Sequence, residues 1–215
     1  MSFLLFLLPL FSLAVLAADD SVTWSFDNLT KIGGHSVTVL GAPKVIDTPQ
    51  GKAIQFNGVD EALFLEVHPL AGAEKFTWEV IFRPDSDGPA AQRFFHMQEN
   101  GSQNRYLFET RIINKRWALD SFAATSAGSR ALMDLKLLHP ADRWHHVAAV
   151  YDGKEYRNYV NGKLQVAAVV ALSPQGPGRT SVGVRINKVD YFKGAIRLSR
   201  MTRRALSPAE FLSVP

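Results

Sequence analysis

The sequence predicts an all-β protein of the sandwich or barrel class, and three observations carry that expectation. Short segments in which apolar residues alternate or run together recur along the chain, among them SVTWSF, KAIQFNG, ALFLEV, FTWEVIFRP, RYLFETRI, HHVAAVY and TSVGVRI. Gly, Pro, Asn and Asp separate them at the spacing of strand turns. Amphipathic patterns of helical length are absent from the sequence.

The chain has 215 residues and no cysteine, with a formal net charge of +4. That length suits one domain. Without disulfides the apolar core alone must hold the fold, and no Cys/His zinc pattern is available. The positive excess is too small and too dispersed for a nucleic-acid binder, but it permits an anionic polysaccharide as partner. The opening MSFLLFLLPLFSLAVLAADD carries an apolar run from Phe3 to Ala18. A membrane span needs roughly 20 such residues, and Val15 and Ala17 stand where a signal peptidase wants small side chains. Residues 1–17 are therefore expected to be a signal peptide and 18–215 a single domain. The protein is then secreted or periplasmic, with no membrane segment after cleavage. A retained anchor is the competing expectation, because no Lys or Arg precedes the apolar run.

Taken in order, SVTWSF, HSVTVLG, KAIQFNG and ALFLEV are expected strands, followed by FTWEVIFRP (Phe76 to Pro84). PDSDGPAAQ (Pro84 to Gln92) and AATSAGSRA (Ala123 to Ala131) are expected loops. Between them RFFHMQ, RYLFETRI and RWALDSF form strands. In RWHHVAAVYDGKEYRNYVNGKLQVAAVV, alternation puts His145 and His146 on opposite sides of one strand, so they do not share a metal. Asp152-Gly153 and Asn161-Gly162 are two-residue hairpin turns there, since both pairs tolerate positive φ. LSPAEF near the end offers Ser207 as N-cap, Pro208 at the first helical position and Glu210 at the third, a capping-box pattern for one helical turn.

Four segments in register resemble the laminin-G-like, concanavalin A-like lectin/glucanase superfamily: GKAIQFNGVDEALFL, FTWEVIFRP, RWHHVAAVYDGKEYRNYVNGKLQ and FKGAIRLSRMTRRALSPAEF. The resemblance implies a two-sheet antiparallel jelly-roll sandwich with one concave face, on which FTWEVIFRP is the first long strand. It implies no single activity, because lectins, adhesion modules, glycanases and lyases share the fold. Many relatives hold calcium near an acidic closing strand. Here Ile196-Arg197-Leu198 stands in that place, and an arginine opposes a nearby divalent cation. A structural Ca2+ is thus disfavoured by Arg197, although Asp27 and Asn28 offer oxygens, and no metal residues are assigned.

Alternation in FTWEVIFRP sends Phe76, Trp78, Val80 and Phe82 to the core and Thr77, Glu79, Ile81 and Arg83 to the open face. In RFFHMQ, Phe95 and Met97 face the core and Phe94, His96 and Gln98 face outward. Glu109 and Arg111 share the polar face of RYLFETRI, and Arg116, Ala118 and Asp120 one face of RWALDSF. Glu79, Arg83, His96, Glu109, Arg111, Arg116 and Asp120 are accordingly the expected ligand-binding residues. Glu79, His96, Glu109, Arg111 and Asp120 are expected to converge on one groove. Carboxylates and guanidinium forks hydrogen-bond sugar hydroxyls, so glycan recognition by a monomeric lectin-like protein is the first expectation. The alternative is a glycoside hydrolase or lyase using Glu79, His96 and Glu109 as catalytic residues. A protein-interaction module is the third. The simpler account of the same charges is a set of salt bridges on a solvated sheet, and the basic run from Arg197 to Leu206 is expected to be a solvated edge.

Overall fold

The computed structural model describes residues 20–213, so the expected leader over residues 1–17 lies outside the described residues. In chain order the strands are β1 (Ser21–Ser25), β2 (Lys31–Ile32), β3 (His35–Ser36), β4 (Thr38–Leu40), β5 (Lys44–Thr48) and β6 (Gly51–Asn57). Next come β7 (Ala62–Leu65), β8 (Phe76–Pro84), β9 (Ala91–Glu99), β10 (Arg105–Ile113), β11 (Arg116–Thr125) and β12 (Gly128–Met133). The last six are β13 (His139–Pro140), β14 (His145–Tyr151), β15 (Glu155–Val160), β16 (Lys163–Val169), β17 (Gly178–Val182) and β18 (Lys193–Thr202).

All but β2 and β3, which pair with each other, build two large antiparallel sheets. The first runs β16-β15-β14-β8-β18-β6-β5, with β1 alongside the second half of β18. The second runs β12-β11-β10-β9-β17-β7-β4, with β13 on β11. Strand alternation gives each sheet one apolar face, and the two apolar faces meet in a core dense in aromatic rings. Trp78 of the first sheet lies 4.1 Å from Phe108 and 5.1 Å from Phe95 of the second, centroid to centroid. Phe76, Val80 and Phe82 join Trp78 in the core, as alternation predicts.

The pattern in RFFHMQ is broken at one point. Phe94 stacks on Phe82 at 4.3 Å and on Phe108 at 5.5 Å, so it faces the core beside Phe95 instead of facing outward. The β9–β10 register shifts at Phe108/Glu109, which pair with Phe95 and Arg93 and skip Phe94. A bulge admits one extra residue on one strand, and here it places two consecutive phenylalanines inside. His96 stays outward.

The two histidines separate as alternation requires. His145 lies edge-on to Trp117 on the core side and bonds the Pro140 carbonyl at 2.8 Å, while His146 faces outward. The Asn161-Gly162 turn has positive φ at both residues (48° and 74°). The other turn is longer than two residues. Only Gly153 of the pair has positive φ, and Asp152 Oδ1 accepts the N–H groups of Lys154 and Glu155, a side-chain closure that lets Asp152 keep ordinary backbone angles. AATSAGSRA is not a loop but a hairpin, since β11 continues to Thr125 and β12 begins at Gly128. The closing helical turn is a single 3-10 turn over Pro208–Glu210, in which Glu210 Oε2 accepts the Ser207 N–H.

Replacing Phe94 with Ala empties space between three rings, so Phe94→Ala lowers the unfolding free energy by about 3–5 kcal/mol. Urea denaturation at unchanged slope checks this. A loss under about 1 kcal/mol would put the ring outside the core.

Candidate functional site

A sandwich has two outer faces, and the expected site residues are divided between them. Glu79 lies on β8 in the first sheet; His96, Glu109, Arg111, Arg116 and Asp120 lie on β9, β10 and β11 in the second. The expected single groove is therefore two separate sites.

On the first sheet the C-terminal segment lies over the outer face. Phe211 packs on Tyr159 and His146, and with Ala205 it covers Ala148 and Val150. Glu79 is entirely buried beneath it. Its Oε1 accepts the Leu212 N–H at 2.7 Å and lies 3.0 Å from His146 Nε2, while Oε2 accepts from Arg200 Nε at 2.6 Å. Burial alone would raise this carboxyl, but the His146 and Arg200 hydrogen bonds, the Leu212 N–H and the Arg200 charge together hold it below the ordinary range. Arg200, expected on a solvated edge, is thus a partner of the buried carboxylate. Arg83, further along β8, pairs with Asp85 at 3.4 Å and lies over the Trp144 ring.

On the second sheet, register and alternation align side chains in rows across the outer face. One row runs Phe64, Ser181, His96, Leu107 and Phe122. Beside it run Arg179, Gln98 and Arg105. On the other side run Arg93, Glu109 and Asp120, then Arg111 and Ala118. Arg111 Nη2 bridges Glu109 Oε2 at 2.9 Å and Asp120 Oδ2 at 2.6 Å, and Arg93 Nε lies 3.0 Å from Glu109 Oε2. Burial first, and the charge of Asp120 second, raise the Glu109 carboxyl above its ordinary value despite Arg93 and Arg111. Arg116 stands apart from this cluster, exposed and bonded to the Leu138 carbonyl.

The connection between β17 and β18 closes over the middle of this face. Ser181 Oγ donates to the Val184 carbonyl, Ile186 N–H donates to His96 Nδ1 at 3.0 Å, and Arg93 pairs with Asp190. Because Nδ1 accepts, the neutral imidazole carries its proton on Nε2, and that N–H is buried with no acceptor among the described residues. Burial, then the charges of Arg185 and Arg105, push the His96 pKa down to about 3. Such an imidazole has no free lone pair at neutral pH and is a poor general base.

Two pockets adjoin at Ile186. One, about 230 Å³, is lined by Gln98, Gln103, Arg179, Arg185, Ile186 and Asn187. The other, about 280 Å³, holds Phe64, Leu40, Glu66, Arg179 and Lys188 around the same isoleucine. Sequence patterning missed Phe64 and Arg185 because ALFLEV and TSVGVRI show only strand alternation, and Arg179 because it immediately precedes TSVGVRI, beyond the expected strand. No signal in either segment marks which outer face it joins.

Near the first strand the Asn28 side chain is taken up by hydrogen bonds within the chain. Asn28 Oδ1 already accepts from Thr30 N, Thr30 Oγ1 and Lys31 N, and Asn28 Nδ2 donates to Asp27 Oδ1. Arg197 donates to the Gln50 carbonyl.

This two-sheet architecture defines a lectin-like β-sandwich. A model of the concanavalin A-like lectin/glucanases superfamily matches residues 57–211, and the chain belongs to that family. No curated protein matches it. Among solved structures it is similar to domain 4 of AbnA, an extracellular GH43 arabinanase from Geobacillus stearothermophilus solved with arabinotriose. Identity there is 18%, the TM-score is 0.58, and 88% of this chain and 94% of that one are covered. It is also similar to the binding domain of Paraclostridial Mosquitocidal Protein 1 (12% identity, TM-score 0.65) and to the receptor-binding domain of botulinum neurotoxin D (11%, 0.66). In both cases 89% of this chain covers 51% of the other, so it spans about half the length of these toxin domains. At these identities the shared property is the fold.

Two outcomes test the placements. Glu79→Gln removes the charge that Arg200 faces under the tail, so it costs about 3 kcal/mol of stability at neutral pH. A depressed carboxyl contributes stability above its unfolded pKa and loses it as pH falls through the folded value. The difference between wild type and Glu79→Gln therefore closes below pH 4.5, the ordinary glutamate value. His96 has the same sign of pH dependence for a different reason: the unfolded imidazole takes up a proton below pH 6.5, whereas the native one does so only near 3. Between about pH 6.5 and 5, wild type loses about 2 kcal/mol more than His96→Gln does. Equal losses in chemical denaturation at pH 7 and pH 5 would mean that native His96 protonates normally.

Proposed function

We propose that the protein is a secreted, monomeric carbohydrate-binding protein of lectin type, which holds its glycan on the outer face of the second sheet and does no chemistry on it. The observation that carries this is the trough formed by the two pockets on either side of Ile186. Amides of Gln98, Gln103 and Asn187 offer paired donors and acceptors to sugar hydroxyls. Half-buried Phe64, with Lys188 Nζ 5.9 Å from its ring centre, offers a surface for a sugar ring. A few convergent polar groups beside an apolar wall are the usual make-up of a small-molecule site. The arabinotriose held by the similarly folded arabinanase domain supports a saccharide as ligand. The apolar leader at residues 1–17 supports export.

The geometry speaks against hydrolysis. A glycosidase needs two carboxyl groups flanking the sugar, about 5–5.5 Å apart or more. Between Glu109 and Asp120 stands a guanidinium nitrogen bonded to both, where the sugar carbon would have to be. Glu79 has both oxygens occupied beneath the tail.

Affinity electrophoresis of the full-length chain against neutral and acidic polysaccharides, with assays for new reducing and unsaturated ends, tests the proposal. Retardation without product is expected. Phe64→Ala should weaken binding about ten-fold, or about 1.4 kcal/mol, while Glu79→Gln, on the opposite face, leaves affinity unchanged. Product release abolished by Glu109→Gln would establish an enzyme instead.

A further inference from the structure

The charges on this face are unequally matched. The carboxylates Glu109 and Asp120 are neutralised by Arg93 and Arg111 in their own rows. Three other arginines, Arg105, Arg179 and Arg185, form no ion pair among the described residues. Arg179 and Arg105 flank Gln98 in one row, each directly opposite it across the sheet. Side chains so placed start about 5 Å from the one between them; the Arg105 guanidinium lies over the Phe122 ring, donates to the carbonyl of the pocket residue Gln103 at 2.7 Å, and stays within electrostatic reach of Arg185. Arg185 descends from the β17–β18 connection and lines the same pocket as Arg179 and Gln98. Like charges held this close without counter-charge repel one another, and an anion between them removes the repulsion.

A second observation points to the same sign of ligand. His96 Nε2–H and Arg105 Nε–H, on neighbouring strands of this face, are buried donors with no acceptor among the described residues. Unmet donors call for an acceptor-rich partner. The opposing charges nearby are few. Exposed Glu66 borders the adjoining pocket, and Glu109 lies within electrostatic reach of Arg105 and Arg185 but is already paired.

We propose that Arg179, Arg185 and Arg105 form an acidic-group subsite within the glycan trough, which takes a sulfate ester or uronate carboxylate carried on a saccharide chain. The guanidinium fork matches the planar carboxylate and two oxygens of a sulfate equally well, with paired N–H donors. Gln98 and Asn187 then address the neighbouring hydroxyls. This rests on the glycan-binding reading of the same face.

Titration calorimetry of the full-length chain against heparin, polygalacturonate and neutral arabinan tests it, with duplex DNA as a polyanion lacking sugar acids. Binding to heparin or polygalacturonate at least ten-fold tighter than to arabinan is expected. The Arg179→Gln/Arg185→Gln pair should weaken acidic binding at least ten-fold while leaving the thermal midpoint unchanged. Lys52→Gln/Lys163→Gln, an equal loss of charge on the first sheet, should leave it within two-fold. Preference for heparin over polygalacturonate identifies sulfate as the acidic group, and the reverse identifies carboxylate. Equal affinity for arabinan and the acidic polymers overturns the subsite but leaves the glycan reading standing, whereas binding to none of the three saccharides overturns both. DNA bound as tightly as the acidic saccharides, or equal losses in the two double variants, reduces the patch to unspecific charge.

Discussion

The contact of Trp78 with Phe95 and Phe108 is the constraint on which the molecule depends. It joins two sheets through rings that bury large areas, and by strand alternation it decides the direction of the neighbouring side chains on β8 and β10. Once Trp78 points inward, Glu79 must point outward on one side of the sandwich. Once Phe108 points inward, Glu109 must point outward on the other. Both carboxylates are the consequence of a single aromatic contact, and the thickness of the core keeps them apart.

Each outer face then solves the problem of a carboxylate taken out of water in its own way. On the first sheet the chain folds its own C-terminal segment over Glu79 and supplies a main-chain N–H, an imidazole and a guanidinium. The part of that face around Glu79, Ala148 and Val150 is covered by the protein itself. On the second sheet the arginines of adjacent strands do the neutralising, and the β17–β18 connection lies over the middle of the face, bonded to His96 and Arg93. What remains uncovered there is cationic and amide-rich.

The local part of this was legible in the sequence. The period of two in FTWEVIFRP and HHVAAVY places Trp78 inward and separates His145 from His146 without reference to any partner strand. The Asn161-Gly162 dipeptide specifies its turn in the same local way. Sheet membership is not local. β8 pairs with β14 and β18, far away in sequence, whereas the adjacent β9 lies in the other sheet. Nothing in residues 85–90 records that the chain crosses between sheets there. The Phe94 bulge is hidden for a related reason, because an extra residue reverses parity while leaving a run of apolar letters that looks regular. Arg179 and Arg185 became candidates only through neighbours supplied by β9 and β10.

The position of β18 has a consequence for how the protein is made. It is the penultimate piece of the described chain, yet it lies inside the first sheet, with β8 on one side and β6 and β1 on the other. While a nascent chain emerges from its N-terminal end, β1, β6 and β8 wait with open hydrogen-bonding edges for a strand that has not yet been translated. Such edges are templates for pairing with other chains. Synthesis must therefore run through β18 before the sandwich can close. For an exported chain, passage across a membrane in an unfolded state would then require no unfolding of a prematurely finished domain.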